Sequence, residues 1–303
     1  MSSVRVIAVV VTYNPGAECI PLLRSLKEQC AQVVVVDNAS DSELLEPIRE
    51  YATSEGLHLI VNEENLGIAA AQNQGIRFAQ RYEAQFVLLS DDDSAPPAHM
   101  VRDLLSAFTD CQSITKTAAV GPLVGEHDGL RSDELVYVAR RWGPRRASRE
   151  ELSEPLLPVA FLIASGCLIS MSALEEVGMM DDELFIDHVD LEWGLRARKK
   201  GFGLFVATSC SMEHSLGDKV VKLPGRKQVV HTHSPVRNYY IVRNTLALIR
   251  SGTFTWRWSA GYLVWLFKYL LFNALVPPQR TIRVRLLARG VRDGISLHLG
   301  RLN

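Results

Sequence analysis

Three consecutive carboxylates, Asp91-Asp92-Asp93, follow the apolar run Phe86 to Leu89 and precede Pro96-Pro97. Carboxylates this close repel one another, and a folded site that keeps them usually supplies a cation or positive ligand contacts. A hard divalent ion, Mg2+ or Mn2+, suits oxygen donors of this kind and typically bridges substrate phosphates. Asp190 falls in the first turn of a helical stretch, where the dipole favours a carboxylate, yet it sits between apolar neighbours rather than in a polar run, as a shaped site with a general base would require. His214, in Glu213-His214-Ser215-Leu216-Gly217, has a side chain that completes carboxylate-dominated metal sites. Arg243 lies in Arg237-Asn238-Tyr239-Tyr240-Ile241-Val242-Arg243-Asn244, and a guanidinium is suited to phosphate. Taken singly, each also admits a plain structural reading: a solvated acidic turn, acids at a helix start, a surface imidazole, a solvated arginine.

The elements that would position these groups alternate. Val4 to Val11 is a β-branched run of the kind buried on both faces of a parallel sheet. Pro15 to Cys30 has helical spacing, Val33 to Val36 reads as a strand, and Ser42 to Tyr51 as a helix. Leu57 to Val61 is a third strand, Ile68 to Arg81 an Ala-rich helix, and Phe86 to Leu89 a fourth strand. Strands alternating with helices through short connections imply an α/β domain with a mostly parallel sheet. Polar residues follow each strand: Thr12 and Asn14, Asp37 and Asn38, Asn62 and Asn65, then the aspartates. Ligands of open α/β sheets bind at the carboxyl ends of strands, so the pattern points to one site along one sheet edge. Further on, 126–158 reads as a polar excursion with an edge strand at Leu135 to Ala139, and Ala160 to Met171 as a buried strand. Val189 to Lys200 reads as a helix, Gly201 to Ala207 as a strand and Gly217 to Ser234 as a mobile loop.

Composition narrows the class. The chain has 303 residues, 47% hydrophobic and 22% charged, which excludes a mainly disordered or collagen-like polymer. Its net charge of -1 is unevenly spread: residues 251–303 hold eight Lys/Arg and one acid, leaving the rest acidic. An acidic 1–250 region argues against nucleic acid as partner. No G-x-G-x-x-G follows the first strand and no Walker loop occurs, which argues against a dehydrogenase or P-loop enzyme. Five cysteines without C-x-x-C spacing fit reduced thiols rather than a disulfide or zinc framework, and Met1 to Val11 does not read as a secretory signal. A cytoplasmic protein is expected.

Together, Val-Thr-Tyr-Asn-Pro (11–15), Val-Asp-Asn-Ala-Ser (36–40), Asn-Leu-Gly-Ile-Ala-Ala-Ala-Gln-Asn-Gln-Gly (65–75) and Asp91-Asp92-Asp93 resemble glycosyltransferase family 2, with its GT-A, Rossmann-like fold. The Gly178 to Arg196 segment, His214 to Gly217 and Tyr239-Tyr240…Arg243-Asn244 resemble the family's bacterial rhamnosyltransferase branch. The resemblance covers about residues 4–250, and implies an inverting, metal-dependent transfer of L-rhamnose from dTDP-β-L-rhamnose to a saccharide hydroxyl in lipopolysaccharide or surface polysaccharide assembly. It implies that Thr12, Tyr13 and Asn14 line the base pocket, Asp37 bonds the base, and Asn65 and Asn73 seat the nucleoside. Asp91 and Asp92 would face the donor, Asp91 and Asp93 would hold Mg2+ or Mn2+ with His214, and Arg243 would contact the donor. Asp190 would be the base, aligned on Gly194-Leu195-Arg196; shifting the anchor would select Asp187 instead.

The remaining 251–303 form a separate basic tail. Residues 254–276 are apolar and rich in Trp and Tyr, but Lys268 and Asn273 interrupt them, a poor fit to a membrane span. Arg280, Arg283, Arg285, Arg289 and Arg292 then interleave with Ile282, Val284, Leu286, Leu287 and Val291. Aromatic and apolar surface with arginine suits a helix lying on an anionic bilayer, placing the protein peripherally at the cytoplasmic face of the inner membrane near a lipid-linked acceptor. The alternative is a helical hairpin packed on the catalytic domain or on a second subunit of a homo-oligomer.

Overall fold

The computed structural model describes residues 4–128, 131–214, 219–221 and 230–302. The chain forms two compact units. The first comprises Met1–Ala139, Pro144–Asp182 and Val189–Ser215; the second comprises Arg140–Gly143, Glu183–His188 and Leu216–Asn303.

The first unit is an α/β fold on one large sheet. Its opening elements are β1 (Val6–Thr12), α1 (Cys19–Gln29), β2 (Gln32–Asp37), α2 (Ser42–Glu55), β3 (His58–Val61), α3 (Ile68–Arg81) and β4 (Phe86–Asp91). The four strands are parallel, with β1 between β2 and β4 and β3 beside β2. All seven residues of β1 are buried, as its β-branched run requires. Helix α3 lies close against this strand: a Cβ built on Gly75 would fall 2.2 Å from a Val9 methyl carbon. After β4 come β5 (Ser94–Ala95), α4 (Met100–Ile114), β6 (Thr117–Asp128), β7 (Arg131–Glu134), β8 (Tyr137–Arg140), β9 (Gly143–Arg146) and β10 (Leu156–Pro158). They are followed by β11 (Cys167–Ser170), α5 (Met171–Val177), α6 (Val189–Lys199) and β12 (Gly203–His214). The sheet order is β10-β12-β6-β11-β4-β1-β2-β3, with β11 antiparallel to β4 and β6.

Two stretches depart from the sequence reading. The polar excursion 126–158 contains short strands β7 to β10 rather than one edge strand. The apolar run from Ala160 is strand only at Cys167–Ser170. Gly166 ends the strand geometry, because its φ is +77° and a Cβ there would meet Pro122 at 2.8 Å. Residues 160–166 therefore form a loop beside the sheet.

The second unit is helical: α7 (Pro235–Arg250), α8 (Trp256–Leu275) and α9 (Arg280–Ser296). Strands β13 (Lys219–Val221) and β14 (Val230–Thr232) pair within the stretch read as a loop, the rest of which lies largely outside the described residues. Helix α9 crosses α7 on two glycines: a Cβ on Gly290 would lie 2.8 Å from the Tyr239 carbonyl oxygen, and one on Gly294 2.6 Å from that of Arg243. Arg283 is buried and donates to the carbonyls of Pro278 and His233 and to Asn238. It is an interior residue, not part of a solvent-facing basic stripe.

Candidate active site

The parallel register that sets Thr12 beside Asp37 builds the first part of the site. The Thr12 hydroxyl donates to Asp37 Oδ1 at 2.9 Å, and Asp37 also accepts from the Ser40 amide at 2.9 Å and the Ser40 hydroxyl. Ser40 Oγ accepts from the Asn14 amide at 2.7 Å, while Asn14 Oδ1 accepts from the Asp41 amide at 2.8 Å. Asn38 continues this net, donating to Asn65 Oδ1 at 3.0 Å and accepting from the Asn62 amide group and the Leu66 backbone. Thr12 and Asp37 are thus buried and bonded to each other, whereas Tyr13 is 54% exposed. This polar net, buried at Thr12, Asp37, Asn38 and Asn62, ties the loops at three strand ends into one rim.

The acidic triplet begins at the last residue of β4. Asp91 Oδ2 accepts a short hydrogen bond from the Ser165 hydroxyl, and Asp92 Oδ2 a long one, 3.5 Å, from the Tyr13 amide. Burial pushes the Asp92 acid up to about 6; the neighbouring charges of Asp93 and Asp91 add to this, against the Tyr13 amide, which lowers it. The triplet is a set of hard oxygen donors with crowded negative charge, which fits a divalent cation. Among the described residues no group of three or more His, Cys, Asp or Glu is arranged to hold an ion. The His214 side chain lies outside the described residues. Its backbone pairs with Ser94, the residue after Asp93.

Asp190 lies in the first turn of α6, and its Oδ2 accepts from the Ala164 amide at 3.1 Å. The next residue, Ser165, is the one bonded to Asp91. One loop thus holds both carboxylates through adjacent residues. Asp190 also lines a small pocket with Leu89, Ala164, Cys167 and Trp193, where burial and the Asp190 charge push the Cys167 thiol upward. Asp187, the alternative base, belongs to the second unit and is ion-paired with Arg237 at 2.7 Å, its side chain only 10% exposed.

Two residues expected on the donor are engaged elsewhere. Asn73 is buried and spends both ends of its amide on Met180, donating to its carbonyl at 2.9 Å and accepting from its amide at 3.0 Å. Arg243 is buried, and its guanidinium donates to the carbonyls of Leu184, Glu183 and Gly300 and to Asn244. Beside it, Asn244 donates to the carbonyls of Leu184, Ile186 and Asp187. These two residues hold the segment before α6, in which Phe185, Asp187 and His188 all adopt left-handed backbone angles rare for non-glycine residues.

Residues 7–178 match the model for Glycosyl transferase family 2. The chain belongs to glycosyl transferase family 2. It is a glycosyltransferase, and its α/β sheet with C-terminal helices is the GT-A arrangement. It is 36% identical over 249 residues to the dTDP-rhamnosyl transferase RfbF of Shigella flexneri, covering 82% of this chain and 81% of that one. It is 30% identical over 257 residues to the galactofuranosyltransferase GlfT1 of Mycobacterium tuberculosis, covering 79% and 80%. The mannosyltransferase PcManGT of Pyrobaculum calidifontis, solved with GDP-Man and Mn2+, has a similar fold, with a TM-score of 0.55 at 17% identity over 96% of this chain and 87% of that one.

In this glycosyltransferase, Ser165 and Ala164 escape sequence reasoning because they sit inside an apolar run, and Ser40 because it follows Asp37 as an ordinary turn residue. The one available signal is Ser165-Gly166, a polar residue and a turn former interrupting an otherwise strand-like stretch.

His188, next to Asp187, carries a pH prediction. Thr245 gives its proton to the Ile241 carbonyl, so its oxygen accepts at 2.8 Å from His188 Nε2, leaving Nδ1 to take up a proton. Burial drives the imidazole from about 6.5 down to about 4, against the opposing charge of Asp187. The unfolded chain therefore binds a proton first as pH falls. Stability is complete above about pH 6.5 and is lost progressively toward pH 4, by about 2 kcal/mol allowing for partial exposure. Urea midpoints at about pH 7 and about pH 4.5 should show this loss in the natural protein and a flatter response in His188→Gln. An equal slope in both would assign the acid sensitivity to other groups.

Proposed function

We propose that the enzyme transfers L-rhamnose from dTDP-β-L-rhamnose, with inversion, to a hydroxyl of a saccharide acceptor in bacterial lipopolysaccharide or surface polysaccharide assembly. The observation that carries the reading is the Ala164-Ser165 loop, which bonds Asp190 on one side and Asp91 on the other. A base and a donor-binding carboxylate held by adjacent residues are what a direct displacement requires. The similarity to RfbF supports the rhamnosyl donor.

Asp190 takes the proton of the acceptor hydroxyl as its oxygen attacks the anomeric carbon. No covalent enzyme intermediate is needed. The rim of Thr12, Asn14, Asp37 and Asn65 shapes the nucleoside pocket, and the exposed Tyr13 ring is free to stack on the base. Asp91 and Asp93 would hold Mg2+ or Mn2+, with His214 as a further ligand; such an ion neutralises the diphosphate leaving group when bound. Asn73 acts by bracing the Met180 backbone, and Arg243 by bracing the Glu183 and Leu184 carbonyls. In this reading residues 1–250 carry the transfer and 251–303 hold the enzyme peripherally at the cytoplasmic membrane face, near a lipid-linked acceptor.

A thermal-shift panel of nucleotide sugars with Mn2+ tests the donor. A selective shift by dTDP-rhamnose is expected, and an equal or larger shift by UDP-galactofuranose would transfer the enzyme to another donor class. Calorimetry tests the metal: Asp93→Ala should weaken dTDP binding in Mn2+ at least ~10-fold, with little difference from the natural protein in chelator. Unchanged affinity in Mn2+ would remove Asp93 from the metal.

A further inference from the structure

We propose that the tip of the β8–β9 hairpin and the outward side of α8 form a single surface that docks on an anionic lipid bilayer. The sequence reading placed membrane contact in the tail alone; the second unit joins to it a segment from far earlier in the chain. Trp258, buried on α8, donates its indole N–H to the Arg140 carbonyl at 2.8 Å. One turn on, a Cβ at Gly261 would lie 1.9 Å from the Trp142 carbonyl oxygen, so the hairpin tip seats on α8 at a distance only glycine permits.

This seating brings two exposed indoles together. Trp142 is 52% exposed and Trp256 69%, and they meet edge to face with ring centroids 5.8 Å apart. Each carries a guanidinium over its ring: Arg141 at 5.7 Å from the Trp142 centroid and Arg257 at 5.1 Å from that of Trp256. Beyond them Val264, Phe267, Leu271 and Leu275 are all exposed and recur every three or four residues, which places them on one side of the helix. Lys268 is exposed within the same stretch.

Indole and guanidinium favour the headgroup region, and a helical apolar stripe favours the acyl boundary just below it. Charge selects the occupant. Helix α8 has no acidic residue, and the single acid of 251–303, Asp293, is buried against Tyr239 and flanked by Arg289 and Arg292. A two-fold contact with a second copy would set these cations against their own equivalents, whereas anionic lipid complements them. No helix among the described residues is long and apolar enough to cross a membrane, so the surface lies on the bilayer rather than through it.

The proposal names the membrane surface for the peripheral placement given above and rests on it only for its purpose; binding is tested without turnover. Full-length protein is mixed with phosphatidylethanolamine–phosphatidylglycerol vesicles and, separately, with phosphatidylcholine vesicles, and floated on a density gradient. The protein should float with the anionic vesicles and less with the neutral ones. The double substitution Phe267→Asp and Leu271→Asp should cut the bound fraction at least ~10-fold, and Trp142→Ala several-fold, since each removes a buried apolar side chain from the lipid. All three positions are exposed, so the thermal shift with dTDP should persist and certify the fold. The proposal is overturned if the natural protein stays unbound, if the variants float as it does, or if the natural protein is a dimer in sedimentation that these substitutions dissociate. Flotation without any nucleotide-sugar response would leave the surface standing and remove the rhamnosyl-donor reading instead.

Discussion

Asp190→Asn should lower turnover at least ~100-fold while leaving donor affinity nearly unchanged, the effect expected when a general base loses its ability to take a proton. The substitution is close to isosteric, and an amide oxygen can still accept from the Ala164 backbone at the 3.1 Å position. The loop that also holds Ser165 against Asp91 is therefore retained, and the donor side of the site with it. A fall in kcat with constant dTDP affinity isolates proton removal from binding. Asp187→Asn is the informative contrast. That carboxylate is engaged with Arg237 at 2.7 Å and little exposed, so its loss should appear in stability before turnover. Near-normal turnover in Asp190→Asn, with a collapse in Asp187→Asn, would reverse the two assignments.

The parts of this enzyme legible in the sequence are those set by local period and chain order. The buried run of β1 and the polar residues after each of the first strands follow from alternation alone, and they locate the rim that Thr12, Asn14, Asp37 and Asn65 occupy. What the sequence hides is the direction in which a polar side chain is satisfied. Asn73 and Arg243 have the chemistry of donor ligands, yet both are consumed by backbone groups distant in sequence. Conversely, Ser165 is concealed in a run that pattern reads as strand, because apolar loops and apolar strands look alike until a glycine at positive φ separates them. The tail shows the same limit. Its composition gives two helices, but which arginines face outward depends on Gly290 and Gly294 letting α9 settle on α7, which draws Arg283 inside.

Asn244→Ala is expected to be the most damaging change outside the acidic residues. Asn244 is fully buried, and its two amide protons are shared among the carbonyls of Leu184, Ile186 and Asp187 at 3.0, 2.8 and 2.9 Å. Those carbonyls belong to a segment in which Phe185, Asp187 and His188 hold φ near +64°, +63° and +64°. Left-handed angles at three non-glycine residues persist only when the surroundings over-determine them. Alanine leaves the carbonyls unmet and the strain unopposed, a loss on the order of 3–5 kcal/mol. Asn244→Asp should be no milder, since it sets an acceptor against acceptors. The chain runs from this segment into Val189 and Asp190, so loosening it should also loosen the entry to α6, which carries the proposed base. In the fraction that remains folded, kcat should fall while dTDP affinity, which the proposed rim of Thr12 and Asp37 would supply, holds. A urea midpoint and kcat both matching the natural enzyme would mean that Arg243, which donates to the Glu183 and Leu184 carbonyls, braces the segment alone. Arg243→Ala would then carry the loss.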